Sequence, residues 1–157
     1  MNRLERLVHK LRKYPKPVLS FAIGRTVKFV GTAGVKFEQM TTDRVIATLQ
    51  NKNKVRNHIG QIHAAAMVLL AETVTGLVVG MNLPDDKIPL IKSLKTDFVR
   101  RSTGAMRAEA WLDEEQTQRI LTEDKGEVLV KVTVTDESGA TPIECEMLWA
   151  WILKNRK

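Results

Sequence analysis

Cysteine is all but missing from this 157-residue chain: Cys145 stands alone, so no internal disulfide can form and a reducing compartment suits it. Three histidines and one thiol leave too few ligands for a structural zinc centre. Nine glycines and five prolines exclude a low-complexity or collagen-like chain. Also absent are a G-x-S-x-G elbow, a Walker loop and a G-x-G-x-x-G turn, so serine-triad, nucleoside-triphosphate and dinucleotide chemistries have no support. What is present is globular in composition, with 43% hydrophobic and 27% charged residues and a length that suits one domain.

Acid is scarce at the N-terminus. Residues 1–36 carry nine Lys and Arg against one acid, Glu5, whereas the whole chain has a net charge of +7. The body is therefore close to neutral and the arm supplies the basic excess. Such a bias attracts phosphates, anionic lipid or acidic partners, and equally suits a solvated helix face. Tyr14 is the sole aromatic interleaved with the first basic cluster, which speaks against a base-stacking nucleic-acid surface.

No targeting segment stands out. The apolar run Pro17–Ile23 is short and closes at Arg25, unlike a signal peptide. Residues 64–83 approach membrane-spanning length, but Glu72 sits mid-segment, where an unpartnered carboxylate would cost several kcal/mol in lipid. The segment reads as a buried helix of a soluble, cytoplasmic protein.

Leu4, Leu7, Val8 and Leu11 recur at helical spacing and predict a short amphipathic helix that ends at Tyr14-Pro15-Lys16-Pro17. It precedes two prolines, so removal of residues 1–13 is expected to leave the domain folded. A second helix is expected from Pro17 towards Phe29, then a break over Gly31–Gly34. Val35–Met40 and Arg44–Gln50 read as strands, and the apolar helix as running from about Gln61 to Gly80. Leu90–Arg100, Ala105–Leu112, Glu127–Thr135 and Ile143–Leu153 read as four further strands, the last two joined by an Asp136-Glu137-Ser138-Gly139 turn. Asp113 and Gln116 carry capping-box chemistry for a surface helix over 114–124. A helix apolar on nearly every side must be covered on most of its surface, and an antiparallel sheet curled around it does this. The expected fold is α+β. Its edge strands invite pairing between two copies.

Candidate chemistry gathers at Asn57-His58-Ile59-Gly60-Gln61-Ile62-His63. Gly60 permits a tight turn, and the amides of Ala64 and Ala65 fall in the first helical turn, where N–H groups lack internal acceptors. They could hold a carbonyl or a developing oxyanion, or the cluster could be an ordinary helix cap. Glu72 is the only charge between His63 and Asp85, so its carboxylate must be paired, hydrogen-bonded or shifted in pKa. His58 and His63 do not share a helix face, so no metal site is expected. Cys145 alternates with Met147 and Trp149 as a core thiol.

The pattern Asn57-x-x-Gly60-x-x-His63-Ala64-Ala65, with Glu72 nine residues after His63 in an apolar helix, resembles the hotdog-fold thioesterases. The nearest branch is the phenylacetyl-CoA and small acyl-CoA thioesterases with their uncharacterised relatives. The resemblance spans about residues 33–153. It implies a hotdog fold, an antiparallel sheet wrapped around one central helix, here with an N-terminal helical extension. That gives an extension over 1–31 and a hotdog domain over 32–157.

The resemblance also implies a thioesterase acting on acyl-CoA at the interface of a homodimer or tetramer. Glu72 matches the central-helix general base or nucleophile, and Asn57 a residue that positions the reacting groups. Ala64 takes the place of a glycine whose amide polarises the thioester carbonyl, and Ser93 that of a serine holding water. Gly60, His63 and Ala65 complete the binding loop, while Arg100, Arg101 and Arg107 are candidates for coenzyme A phosphates. The chain departs from the family in having His-Ala-Ala where His-Gly-Gly is usual. Coenzyme A enters as part of the substrate, with no metal and no other cofactor. The alternative is a non-catalytic hotdog protein that binds acyl-CoA, or acts at a membrane surface or on a partner through its basic arm.

Overall fold

The computed structural model describes residues 1–154, so 155–157 of the expected 32–157 domain lie outside the described residues. Helices α1 (Arg3–Leu11), α2 (Lys16–Thr26) and α3 (Lys28–Ala33) precede strands β1 (Lys36–Met40) and β2 (Arg44–Leu49). A 3-10 turn at Asn53–Val55 leads to the long helix α4 (Ala64–Asn82). Then come β3 (Lys87–Phe98), β4 (Met106–Trp111), α5 (Glu114–Thr122), β5 (Gly126–Asp136) and β6 (Ile143–Leu153).

All strand pairs are antiparallel, in the order β1-β2-β4-β5-β6-β3. The curl of the sheet follows from how β5 divides its partners. Its residues 131–136 pair with β4, whereas Gly126–Val130 pair with β6. One strand thus belongs to two offset halves, and the sheet turns around α4 between them. Leu70, Ala71, Val74, Val78 and Val79 of α4 are fully buried against it. Each such aliphatic side chain contributes about 1.5–3 kcal/mol when removed from water. This is the expected α+β hotdog arrangement.

Polar groups within this core have specific partners. Thr75 Oγ1 donates back to the α4 carbonyls of Ala71 and Glu72 (3.0 and 2.9 Å) and accepts from Trp149 Nε1 at 2.9 Å. Gly76 lets that indole lie on the helix, because a Cβ there would sit 2.6 Å from Trp149 ring atoms. The buried Lys87 Nζ donates to the carbonyls of Ile120, Leu121 and Glu123, capping the end of α5. The start of α5 has the expected capping box between Asp113 and Gln116.

The N-terminal helices cover the side of α4 that the sheet leaves open. Val8, Ile23, Val30 and Ala33 are buried in the same core as the strands. Asn2 Nδ2 donates to the carbonyls of Gly80, Met81 and Leu83 at 2.7–3.0 Å, satisfying the C-terminal end of α4. Asp85 accepts from Arg3 N–H at 2.8 Å and pairs with Arg6 at 3.1 Å. These contacts join α1 to the core, so its removal carries a stability cost that the expectation for residues 1–13 did not include.

Two boundaries also differ from expectation. The helix read from Pro17 towards Phe29 is two helices, broken where Val27 adopts an extended conformation, and α3 continues through Gly31 to a left-handed Gly34. Gly24 and Gly31 bring those helix backbones together, since a Cβ on Gly24 would lie 2.8 Å from the Cα of Gly31. The long helix starts at Ala64 rather than Gln61, because Ile62 pairs with Arg56 in a β-bridge just before it.

Deleting residues 1–13 should therefore lower stability by roughly 3 kcal/mol, from exposure of Val8 and loss of acceptor partners at the end of α4. Chemical denaturation of the truncated chain measures this. Gly76→Ala favours the helix by up to about 1 kcal/mol on propensity alone. Its collision with Trp149 should reverse the sign and cost about 1–3 kcal/mol, read from the same denaturation curves.

Candidate functional site

The loop before α4 is built by Asn57. Its Oδ1 accepts from the N–H groups of Ile59 and Gln61, both at 3.1 Å, and its own N–H donates to Gln61 O at 2.8 Å. Gly60 takes φ +77°, a left-handed conformation that closes the turn. Asn57 thus shapes the loop with its oxygen, while its Nδ2 has no partner among the described residues.

His63 N–H donates to Val55 O at 2.7 Å, which sets the entry of the chain into α4. Its ring then caps the helix, Nδ1 accepting from Ala65 N–H at 3.0 Å. An accepting Nδ1 requires the neutral ring with its proton on Nε2. Of the two helix-start amides, Ala65 is thereby committed. Among the described residues Ala64 N–H has no acceptor, and it stands at the positive end of the helix dipole.

Glu72 is half-buried two turns further along, with no ion pair among the described residues. It lines a cavity of about 220 Å³ with Thr73, Leu77, Trp149, Pro89 and, from the N-terminal helices, Val30. Burial pushes its carboxyl pKa up, while the neighbouring Thr73 hydroxyl acts in the opposite direction. Thr73 is 5% exposed and its hydroxyl has no hydrogen-bond partner among the described residues. An uncharged Glu72 can donate a proton and an ionised one can accept, which suits acid–base work in an apolar setting.

The structure brings some expected residues together and not others. His63 and Ala65 share a second cavity, about 200 Å³, roofed by Phe29 of α3. Glu72 lies eight residues after Ala64, about 12 Å along the axis and turned by about 80°, so one chain does not bring that amide and that carboxylate to one atom. Ser93 is exposed on β3, beside a bulge at Lys92, and does not line the Glu72 cavity. Cys145 is half-buried on β6, its Sγ 3.6 Å from Thr96 Oγ1, and burial raises its pKa. Sequence reasoning missed Thr73, Gly76 and the α3 roof. Thr73 carried a signal as a polar neighbour of Glu72, whereas the roof depends on tertiary packing.

Arg100 and Arg101 are exposed in the loop after β3. Arg107, expected to be a free cation, is instead paired with Glu38 at 3.2 Å and Glu109 at 3.0 Å. The arginine loop is tied down by Asp136, which accepts from Thr103 N–H, Ser138 N–H and Oγ, and Ala140 N–H at 2.6–3.3 Å. Burial alone would raise the Asp136 pKa, but these donors outweigh it and hold the group below its ordinary value.

A six-stranded antiparallel sheet curled around one long helix is the hotdog fold. Residues 16–152 match the family described as a domain of unknown function (DUF4442), and the chain belongs to it. The chain is similar to PA5026 of Pseudomonas aeruginosa, a protein of unknown function and probable thioesterase. The two are 25% identical with a TM-score of 0.79, over 90% of this chain and 97% of that one. It is similar in fold to thioesterase HI1161 of Haemophilus influenzae (16% identity, TM-score 0.71, 92% and 95% covered). A mutant of thioesterase PA1618 of P. aeruginosa is comparable (14%, 0.72, 91% and 98%). No curated protein matches the sequence.

Because Asp136 is held ionised in the folded chain, its stabilisation is complete above the unfolded carboxyl pKa, about 4. It is lost as pH falls through the lower folded value. Asp136→Asn should lower the melting temperature at neutral pH and flatten the acid limb of a Tm-versus-pH curve.

Proposed function

We propose that this chain hydrolyses an acyl thioester of coenzyme A, at a site completed by a second copy of the chain. The observation that carries the reading is Glu72: a half-buried carboxyl without an ion pair among the described residues, facing an apolar cavity on the central helix. Buried carboxyl groups with raised pKa values concentrate at functional sites.

In this reading the thioester carbonyl accepts from Ala64 N–H, and ionised Glu72 takes a proton from the attacking water. The oxygen of that water bonds to the carbonyl carbon, and the amide stabilises the resulting oxyanion. Collapse of the intermediate breaks the C–S bond and releases the coenzyme A thiolate, which takes up a proton. The 12 Å offset along α4 (about eight residues of rise) requires Ala64 of one copy to face Glu72 of another. Strand β3 supports such pairing, because it is an edge strand of twelve residues with Leu90, Leu94 and Phe98 exposed.

Ser93 on that edge is carried over as the hydroxyl that holds the water, and Asn57 as the group that positions the reactants. Gly60, His63 and Ala65 form the loop around the carbonyl. Arg100 and Arg101 offer cations to the coenzyme A phosphates, and no other cofactor enters. Residues 1–31 serve as a cover over α4 and 32–157 as the hotdog domain. The lone cysteine supports a cytoplasmic setting. One observation favours the second reading, an acyl-CoA-binding protein without turnover: His63 occupies Ala65 N–H and leaves a single free amide.

An acyl-CoA panel with free-thiol detection separates the two readings. Glu72→Gln keeps the shape but cannot accept a proton, so hydrolysis should fall by about 10²-fold or more with substrate affinity little changed. In the unmodified chain, activity should fall as pH drops through the raised Glu72 pKa. A fully active, folded Glu72→Gln variant would remove the assignment.

A further inference from the structure

We propose that the outer face of α2, with the edge of β1 beside it, docks on an anionic phospholipid surface. Between Glu5 and Glu38 the chain has no acidic residue and eight Lys and Arg. Within that stretch Val18, Phe21 and Arg25 fall at i, i+3 and i+7 on one face of α2. Phe21 is 66% exposed and Val18 38%, and the adjoining α3 adds Phe29 at 63%. The guanidinium of Arg25 lies 5.8 Å from the Phe21 ring centroid, so cation and aromatic are presented together.

Beside Phe21 opens a groove of about 520 Å³, lined by Lys16, Arg25, Lys36 and Phe37 with Gly24 and Gly31 along it. Lys16, Arg25 and Lys36 make no ion pair among the described residues. Glu38, the one carboxylate lining the groove, is engaged by Arg107 at 3.2 Å. The rim is thus a set of uncompensated cations around an apolar floor.

An anionic bilayer answers both features. Its headgroup phosphates and carboxylates meet the cations, and Phe21 and Val18 leave water for the acyl boundary. A second copy meeting this face with its own would set like charges against each other. Single-stranded nucleic acid would satisfy the cations, but Val18 offers no ring for a base. The inference does not rest on the thioesterase reading, because vesicle binding is measured without turnover.

The test is co-sedimentation of the full chain with phosphatidylcholine vesicles, with and without phosphatidylserine. Binding is expected only with phosphatidylserine and should weaken as salt is added. Lys16→Ala and Arg25→Ala should each weaken binding about fivefold, and Phe21→Ser should weaken it with an unchanged melting temperature. Absence of phosphatidylserine-dependent binding overturns the proposal, as does unchanged binding by all three variants. It is equally overturned if Phe21→Ser dissociates an oligomer in sedimentation, or if the chain binds single-stranded RNA and not vesicles.

Discussion

A helix with one charge in nineteen residues must be covered on most of its surface, and the architecture is the answer to that constraint. The sheet curls because β5 pairs with β4 along one half and β6 along the other, which lets it follow the helix. What the sheet leaves open is taken by α1 and α3, whose Val8 and Val30 are buried with the strands. The ends of α4 are finished from elsewhere in the chain, by His63 at the start and Asn2 at the finish.

The same covering creates the candidate site. Two of the four polar side chains on α4 are consumed by structure: Thr75 by Trp149 and the helix backbone, Asn82 by the carbonyls of Thr42 and Val78. Glu72 and Thr73 are what remains, a carboxyl shifted by burial and a hydroxyl without a partner among the described residues, side by side under the N-terminal helices. The departure from a His-Gly-Gly pattern acts at the other end, where the methyl groups of Ala64 and Ala65 narrow the approach to the amides.

Fold and chemistry stand on different grounds. The hotdog architecture is shared with structures of very different sequence, and the same fold hosts unrelated functions. The proposed hydrolysis therefore depends on Glu72 and Ala64, and their separation along α4 is why the proposal includes a second copy. The exposed aromatic and basic face of α2 lies on the opposite edge of the sheet order from β3, so a membrane contact and strand pairing do not compete for one surface.

Much of this was legible in the residues themselves. Alternation marked β2, β4, β5 and β6, Asp113 and Gln116 marked the start of α5, and the lone charge in residues 64–82 singled out Glu72. These are local signals, carried by periodicity and side-chain chemistry within a few positions. The sequence did not show that α4 waits until Ala64, that Val27 divides two helices, or that Arg107 is neutralised. Each depends on a partner far along the chain or across the sheet: Ile62 bridged to Arg56, Gly24 on Gly31, Glu38 beside Arg107. The amphipathic pattern of residues 3–11 determined that a helix forms there; only tertiary packing decided that its Val8 and Asn2 close over the central helix, because burial is a property of what another element leaves uncovered.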